Sequence, residues 1–314
     1  MDFRILRYFV AIAEEGSISR AAERLRIAQP ALSAQIRNLE SELGSPLLHR
    51  MPRGVAVTES GAKLLGHARH ILRSAALARE DLLGDAAVII GDVTVSFPQS
   101  VAMVLTRPVV EEVLRVLPRV SLSVRESNTG YMAELLRTGR IDLGFVFREA
   151  DTVGLKARRL VEEDLVVIGP PGAFERGHGG LAPKPLRFAR LGSHPLVIPG
   201  RPHSLRELLN DYARRARTEL RVVVEVDAIP QIKELVAAGA GHAVLSYNAV
   251  REDLIAGRLS GARVMSPSLQ RSVFLCGHAE LPQTRAVRAI EKIILEVTAR
   301  LVETGIWEAR LASP

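Results

Sequence analysis

Between residues 32 and 43 the apolar positions Leu32, Ile36, Leu39 and Leu43 recur at i, i+4, i+7 and i+11. That spacing predicts a helix with one buried stripe. Gln29, Ser33 and Arg37 follow one another by a turn and are assigned to the opposite face, with Pro30, Gln35 and Asn38 beside them. A helix face rich in Gln, Ser, Asn and Arg suits the donors and acceptors of a DNA major groove better than plain solvation. A shorter helix precedes it. Ser17 is its expected N-cap, and Ala21, Ala22 and Leu25 form its inner face. Arg26-Ile27-Ala28 turns the chain, and Pro30 falls in a first helical turn, where a missing N–H costs little. The pair predicts a helix-turn-helix whose recognition helix runs from Gln29 to about Glu40. A surface helical hairpin would share the two helices but not the polar face.

Two short extended runs follow, Gly44 to Arg50 and Val55 to Thr58, around Met51-Pro52-Arg53-Gly54. They predict a hairpin, the wing of a winged helix, with Arg50 and Arg53 placed to reach phosphates or a minor groove. Thr58 is expected to cap the next helix and Glu59 to favour its first turn. Residues 58 to about 84 then read as one long helix. Leu64, Ala68, Ile71, Ala75, Ala78 and Leu82 make its stripe, Leu65, Leu72 and Leu83 widen it, and Gly84-Asp85 ends it. A helix that long with a continuous apolar stripe wants a partner.

From residue 88 short apolar strands alternate with helices, which predicts an α/β domain. Strands are expected at 93–96, 120–124, 141–146, 165–169, 195–199, 221–226, 241–246 and 273–276. Helices are expected at 102–117 (broken around Pro108), 132–138, 204–218, 230–238 and 282–304. Residues 97–100 and the Gly- and Pro-rich stretch 172–192 read as loops.

Composition narrows the function. At 314 residues the chain is long enough for two or three domains. Its single cysteine, Cys276, excludes an intrachain disulfide, and its apolar surroundings suggest a packed small hydrophobe. There is no signal-like N-terminus and no apolar run of membrane-spanning length, which points to a cytoplasmic protein. The formal charge is +7, yet residues 1–85 hold 12 Lys/Arg against 10 Asp/Glu. The case for DNA therefore rests on where Arg37, Arg50 and Arg53 stand. In residues 176–221 ten basic residues face three acidic ones, either a solvated surface or the surroundings of an anionic small molecule. His67 and His70 have metal-ligand spacing but no set of ligands nearby, so no metal and no cofactor is expected. No Gly-x-Ser-x-Gly, His-Glu-x-x-His, phosphate-loop or dinucleotide glycine pattern is present, which argues against an enzyme.

The first 61 residues closely resemble the LysR-type transcriptional regulators. The matching residues are Phe9, Gly16-Ser17, Ala21-Ala22, Gln29-Pro30-Ala31-Leu32-Ser33, Ile36, Leu39-Glu40, Leu43-Gly44, Pro46-Leu47, Arg50 and Thr58-Glu59-Ser60-Gly61. Leu48 departs from the aromatic usual there but keeps an apolar anchor. Ile27-Ala28-Gln29-Pro30 and Ser266-Pro267-Ser268 resemble the branch that includes nitrogen assimilation control regulators. The resemblance implies a winged helix-turn-helix domain over 1–58 and a linker and dimerisation helix over 59–87. It implies further an effector domain of two subdomains, 88–163 with 268–314 and 164–267, like a periplasmic solute-binding protein. Glu162-Glu163-Asp164 and Met265-Ser266-Pro267 would be the crossovers.

DNA contacts are then expected from Gln29, Pro30, Ser33, Gln35, Arg37, Arg50 and Arg53. An effector, anionic by the nearby basic excess, is expected between the subdomains at strand ends and helix N-termini. Ser100, Thr129, Ser204 and apolar Ile229 match family effector positions, although Ser100 and Thr129 suit simple helix capping as well. Ser96 is added for its hydroxyl. Arg201 is added on chemical grounds, as an anion partner or a solvated loop arginine. Ser246 replaces a proline usual in the family and should alter the loop beyond it. The implied partners are double-stranded DNA, the effector, a second copy through the linker helix, a tetramer, and RNA polymerase, with no membrane. A secreted solute binder would share the α/β half but have no use for residues 1–61.

Overall fold

Caps and tight turns set the helices of the N-terminal unit. The computed structural model describes residues 1–52, 54–83 and 88–312, without the side chains of residues 80, 81 and 83. Arg53 and the expected helix end at Gly84-Asp85 lie outside the described residues. Helix α1 (Phe3–Glu15) starts where Asp2 Oδ1 accepts from Ile5 N at 2.8 Å. Helix α2 (Ile18–Leu25) is capped by Ser17 and stops at Arg26, which is left-handed at φ 57°. Helix α3 (Gln29–Leu43) has Pro30 in its first turn and ends at Gly44, φ 64°. Phe9, Ile12, Leu32 and Leu39 close the core between these helices.

Strands β1 (Leu48–Met51) and β2 (Gly54–Val57) pair antiparallel as the wing. The wing is tied down twice. Glu40 Oε1 accepts from Leu47 N and Leu48 N at 2.8 and 3.1 Å. Val55 N donates to Gly16 O at 2.8 Å, an approach so close that a Cβ on Gly54 (φ +129°) would collide with that oxygen. Helix α4 (Glu59–Leu83) follows, with Thr58 Oγ1 accepting from Gly61 N at 2.9 Å. Leu65 and Ala68 are buried in this unit, whereas Leu82 is 88% exposed.

Two sequence expectations fail in α3. Leu43 is 42% exposed, because it is the last residue of the helix. Ser33 is 6% exposed and not on the open face. It follows Leu32 on a helix that turns about 100° per residue, so it borders the buried stripe.

The second unit is the α/β domain. Its first half runs β3 (Gly91–Phe97), α5 (Gln99–Val116), β4 (Val120–Glu126), α6 (Thr129–Arg137), β5 (Leu143–Val146). Then comes β6 (Leu155–Gly169), a strand of 15 residues. The second half contains β7 (Leu186–Arg187), β8 (Leu196–Ile198), α7 (Ser204–Arg215), β9 (Val222–Glu225), α8 (Ile229–Ala237), β10 (Ala243–Ser246), α9 (Tyr247–Ile255) and β11 (Ser260–Met265). The chain returns through β12 (Gln270–His278), α10 (Arg285–Glu303) and β13 (Arg310–Leu311). Among the described residues the main sheet has the order β4-β3-β5-β12-β6-β11-β7, with β10 and β13 also on β6, and β8 pairs β9 apart from it.

Strand β6 joins the halves. Leu155 to Asp164 pair antiparallel with β12, and Leu165 to Gly169 pair with β10 and β11. The passage between the halves thus falls at Asp164-Leu165, at the end of the expected crossover Glu162-Glu163-Asp164, and is made by continuous strand. Glu163 within it is buried and neutralised by Arg271.

Other elements also differ from expectation. Gln99 and Ser100 belong to the first turn of α5, and Pro108 sits inside that helix without breaking it. The stretch 172–192 carries buried Leu181, Phe188 and Leu191, the last two on a 3₁₀ turn, so it is part of the core. Helix α9, strand β11 and strand β13 were not anticipated. Ser246 leads straight from β10 into α9, and no altered loop follows it.

Candidate functional site

Five helices begin around one cavity of about 220 Å³ in the α/β unit. They are α5 at Gln99-Ser100, α6 at Asn128-Thr129, α7 at His203, α8 at Ala228-Ile229 and α9 at Ser246. The partial positive charge at these helix starts favours an acidic group between them, with first-turn N–H groups of α6, α7 and α8 already taken by the side chains of Asn128, His203 and Gln99. The two halves are pinned together across this cavity. Ile229 N donates to Gln99 Oε1 at 2.6 Å, Ser204 N to Thr129 Oγ1 at 3.0 Å, and Asn128 Nδ2 to Asp227 Oδ2 at 3.3 Å. A Cβ on Gly130 would collide with the Pro202 carbonyl oxygen, so glycine there lets the two rims meet.

The cavity floor is a buried ion pair. Arg271 on β12 and Glu163 on β6 are 4% and 3% exposed. Arg271 Nε donates to Glu163 Oε1 at 2.6 Å and its Nη2 to Ser100 Oγ at 2.8 Å. The guanidinium lies 3.8 Å from the Phe147 ring centroid, a cation–π contact. Glu163 Oε2 also accepts from Trp307 Nε1 at 3.1 Å and Asn248 Nδ2 at 3.4 Å. A buried carboxylate needs that many partners.

His203 lines the same cavity and caps α7: its Nδ1 accepts from Leu205 N at 3.1 Å. Burial holds its pKa down at about 4; Asp227 pulls it up and Arg271 pushes it further down. The imidazole is thus neutral, with Nδ1 bare and the proton on Nε2.

The structure sorts the expected effector residues into three groups. Ser100, Thr129 and Ile229 line the cavity. Ser96 and Ser204 lie behind the lining. Ser96 Oγ donates to Ser127 Oγ at 2.8 Å, and Ser204 Oγ donates to Asp151 Oδ2 at 3.3 Å. Arg201 is elsewhere: it is 69% exposed, faces Glu207 at 3.4 Å and borders a different surface hollow. Arg271, not Arg201, is the arginine in the cavity lining, and it is paired with Glu163. Its signal was present, since Arg271, Val273 and Leu275 alternate as buried positions of one strand. Ser246 was also missed. It is 2% exposed, lines the cavity, and its hydroxyl has no hydrogen-bond partner among the described residues.

On the other unit, Gln29, Pro30, Gln35 and Arg37 are exposed on α3 and Arg50 on the wing. Arg37 and Arg50 carry no hydrogen bond or ion pair with the described residues. Ser33 instead accepts from Gln29 Nε2 at 3.2 Å, steadying a side chain that is itself exposed. Arg53 lies outside the described residues.

Neither unit offers a catalytic constellation among the described residues, and no cluster of His, Cys, Asp and Glu there could hold a metal. His67 and His70 are exposed on α4. Cys276 is fully buried, and burial, with a smaller push from Asp151, raises its thiol to about 12. No helix among the described residues is long and apolar enough to cross a membrane.

Comparison with known proteins agrees with both units. Residues 3–62 match the bacterial regulatory helix-turn-helix protein, lysR family, and residues 87–299 match the LysR substrate binding domain. The chain is 29% identical over 315 residues to the nitrogen assimilation regulatory protein nac of Escherichia coli K12, covering 98% of this chain and 99% of the relative. It is 31% identical over 248 residues to the HTH-type transcriptional regulator ClcR of Pseudomonas putida, covering 78% and 82%. The structure of a full-length OxyR variant from Pseudomonas aeruginosa superposes with a TM-score of 0.76 at 25% identity, covering 94% of this chain and 98% of that one. With a LysR helix-turn-helix at one end and a LysR effector domain over most of the rest, the chain belongs to the LysR family and is a DNA-binding transcriptional regulator, not an enzyme.

Proposed function

We propose that α3 reads a major-groove half-site while the wing holds the backbone. Gln29, Pro30, Gln35 and Arg37 face base edges, Arg50 and Arg53 face phosphates or the minor groove, and Ser33 acts by holding Gln29. The domain limits are those read from the sequence: 1–58 for DNA, 59–87 for dimerisation, and 88–163 with 268–314 against 164–267 for the effector. The protein works in the cytoplasm as a homodimer through α4, and dimers pair into a tetramer that bends a longer site. RNA polymerase is the partner on which the bent complex acts. An effector bearing an acidic group sits in the cavity and changes the angle between the two halves. It shifts the population of two states by its differential affinity for them.

The observation that carries this reading is the meeting of five helix N-termini on one cavity at the seam between the halves. Hydrogen bonds across that seam hold it shut, so a ligand there gains leverage on the whole domain. Footprinting on the DNA beside the protein's own gene, at two salt concentrations, tests it. Protection of several helical turns with hypersensitive bands is expected. Weak, uniform protection lost in modest salt would contradict a sequence-specific multimer.

A further inference from the structure

We propose that the effector is a small zwitterion of the α-amino-acid type, its carboxylate held by Ser100 and Ser246 and its ammonium group by Asp227 and Glu126. This rests on the cavity being the effector site.

The cavity is bipolar. One pole is built for an acid. The N-termini of α5 and α9 lie there, at Ser100 and Ser246, and Ser246 keeps a buried hydroxyl without a partner among the described residues, which a bound oxygen would satisfy. Ser100 Oγ already accepts from Arg271, so its own proton is free to be donated.

The other pole is acidic. Asp227 and Glu126 line the same cavity. Glu126 has no side-chain partner among the described residues, and Asp227 accepts one hydrogen bond on each oxygen, from Asn128 and from Gly200 N. Neutral His203 also lines the cavity, within electrostatic reach of both Asp227 and Arg271.

Formal charge decides against a simple anion. The only Lys or Arg in the lining, among the described residues, is Arg271, and Glu163 behind it already cancels that charge. Two carboxylates remain, at the exposed rim of the cavity. A second acid on the ligand would face them and be repelled, whereas an ammonium group would gain charge-assisted hydrogen bonds. A volume of about 220 Å³ lies below the usual ~300–1,000 Å³ of pockets for drug-sized ligands, so the molecule is small.

The test uses the purified full-length protein and its single tryptophan, Trp307, whose ring N–H is bonded to Glu163 beneath the cavity. Emission and thermal shift are followed with common L-α-amino acids, their 2-hydroxy acids and their decarboxylated amines. At least one amino acid is expected to bind, with its hydroxy acid and its amine each weaker by at least about tenfold. Asp227→Asn should weaken the amino acid by a similar factor and leave the hydroxy acid unchanged. Ser246→Ala should weaken both. If a hydroxy acid or a dicarboxylate binds best and Ser246→Ala weakens it, the cavity is the effector site and the zwitterion is wrong. If an amino acid binds both variants as well as the parent, the ligand lies elsewhere and both readings fall. Absence of binding by any amino acid up to about 10 mM overturns the zwitterion.

Discussion

His203 can take up a second proton only at Nδ1, and doing so breaks the cap on α7. Its pKa is about 4 folded, against 6.5 when free. Between those values the unfolded chain binds a proton that the folded chain refuses. Stability should therefore fall by about 2–3 kcal/mol as pH drops from 6.5 to 4. Urea titrations at pH 7, 5.5 and 4 measure the slope. His203→Asn keeps a capping oxygen without the titration and should flatten its share. Arg271 makes a second residue-scale case. Arg271→Leu leaves Glu163 charged and buried and should cost about 3–5 kcal/mol. Adding Glu163→Gln removes the stranded charge, keeps an oxygen for Trp307, and should recover much of the loss in the same titration. Cys276, with its thiol raised to about 12, should resist a thiol reagent at pH 8 in the folded protein and react fully in urea.

At the scale of elements, local pattern and distant pairing divide what the sequence could reveal. The helix-turn-helix was legible because its caps, turn residues and stripe lie within about 30 positions of one another. Even there Ser33 was assigned to the wrong face, since one step beside Leu32 decides between edge and surface. Strand β6 was only half legible. Leu165 to Ile168 announce themselves as a buried run, but the strand character of Glu162-Glu163-Asp164 depends on β12, more than 100 residues away. The site divides in the same way. Ser100, Thr129 and Ile229 follow from helix starts, while Arg271 and Ser246 needed the fold to bring them in. The exposed residues of α3 and the wing carry their own expectation. Arg50→Ala should weaken binding to every DNA sequence and lower the salt slope by about one. Gln35→Ala should instead reduce the preference for the target sequence and leave that slope unchanged. Binding titrations at several salt concentrations, on specific and random duplexes, separate the two.

For the whole molecule, α4 sets the expected assembly. Leu65 and Ala68 are covered within their own unit, Leu72 and Ala75 are half-covered, and Leu82 is open to solvent. A second copy of α4 would cover them, so sedimentation at micromolar concentration should show dimers or larger. Leu72→Glu with Leu82→Glu should shift the protein toward monomers and abolish footprints longer than a single half-site. The way β6 runs through both halves bears on how such regulators diversify. The chain leaves the first half after Asp164 and re-enters it at Gln270, and these two residues face each other in one antiparallel ladder. Everything between them is a cassette whose ends stand side by side. Replacing such a segment takes two junctions, one inside β6 after Asp164 and one before Gln270, and the ladder of Leu155 to Asp164 against β12 holds both in register while an old promoter reader receives half of a new sensor.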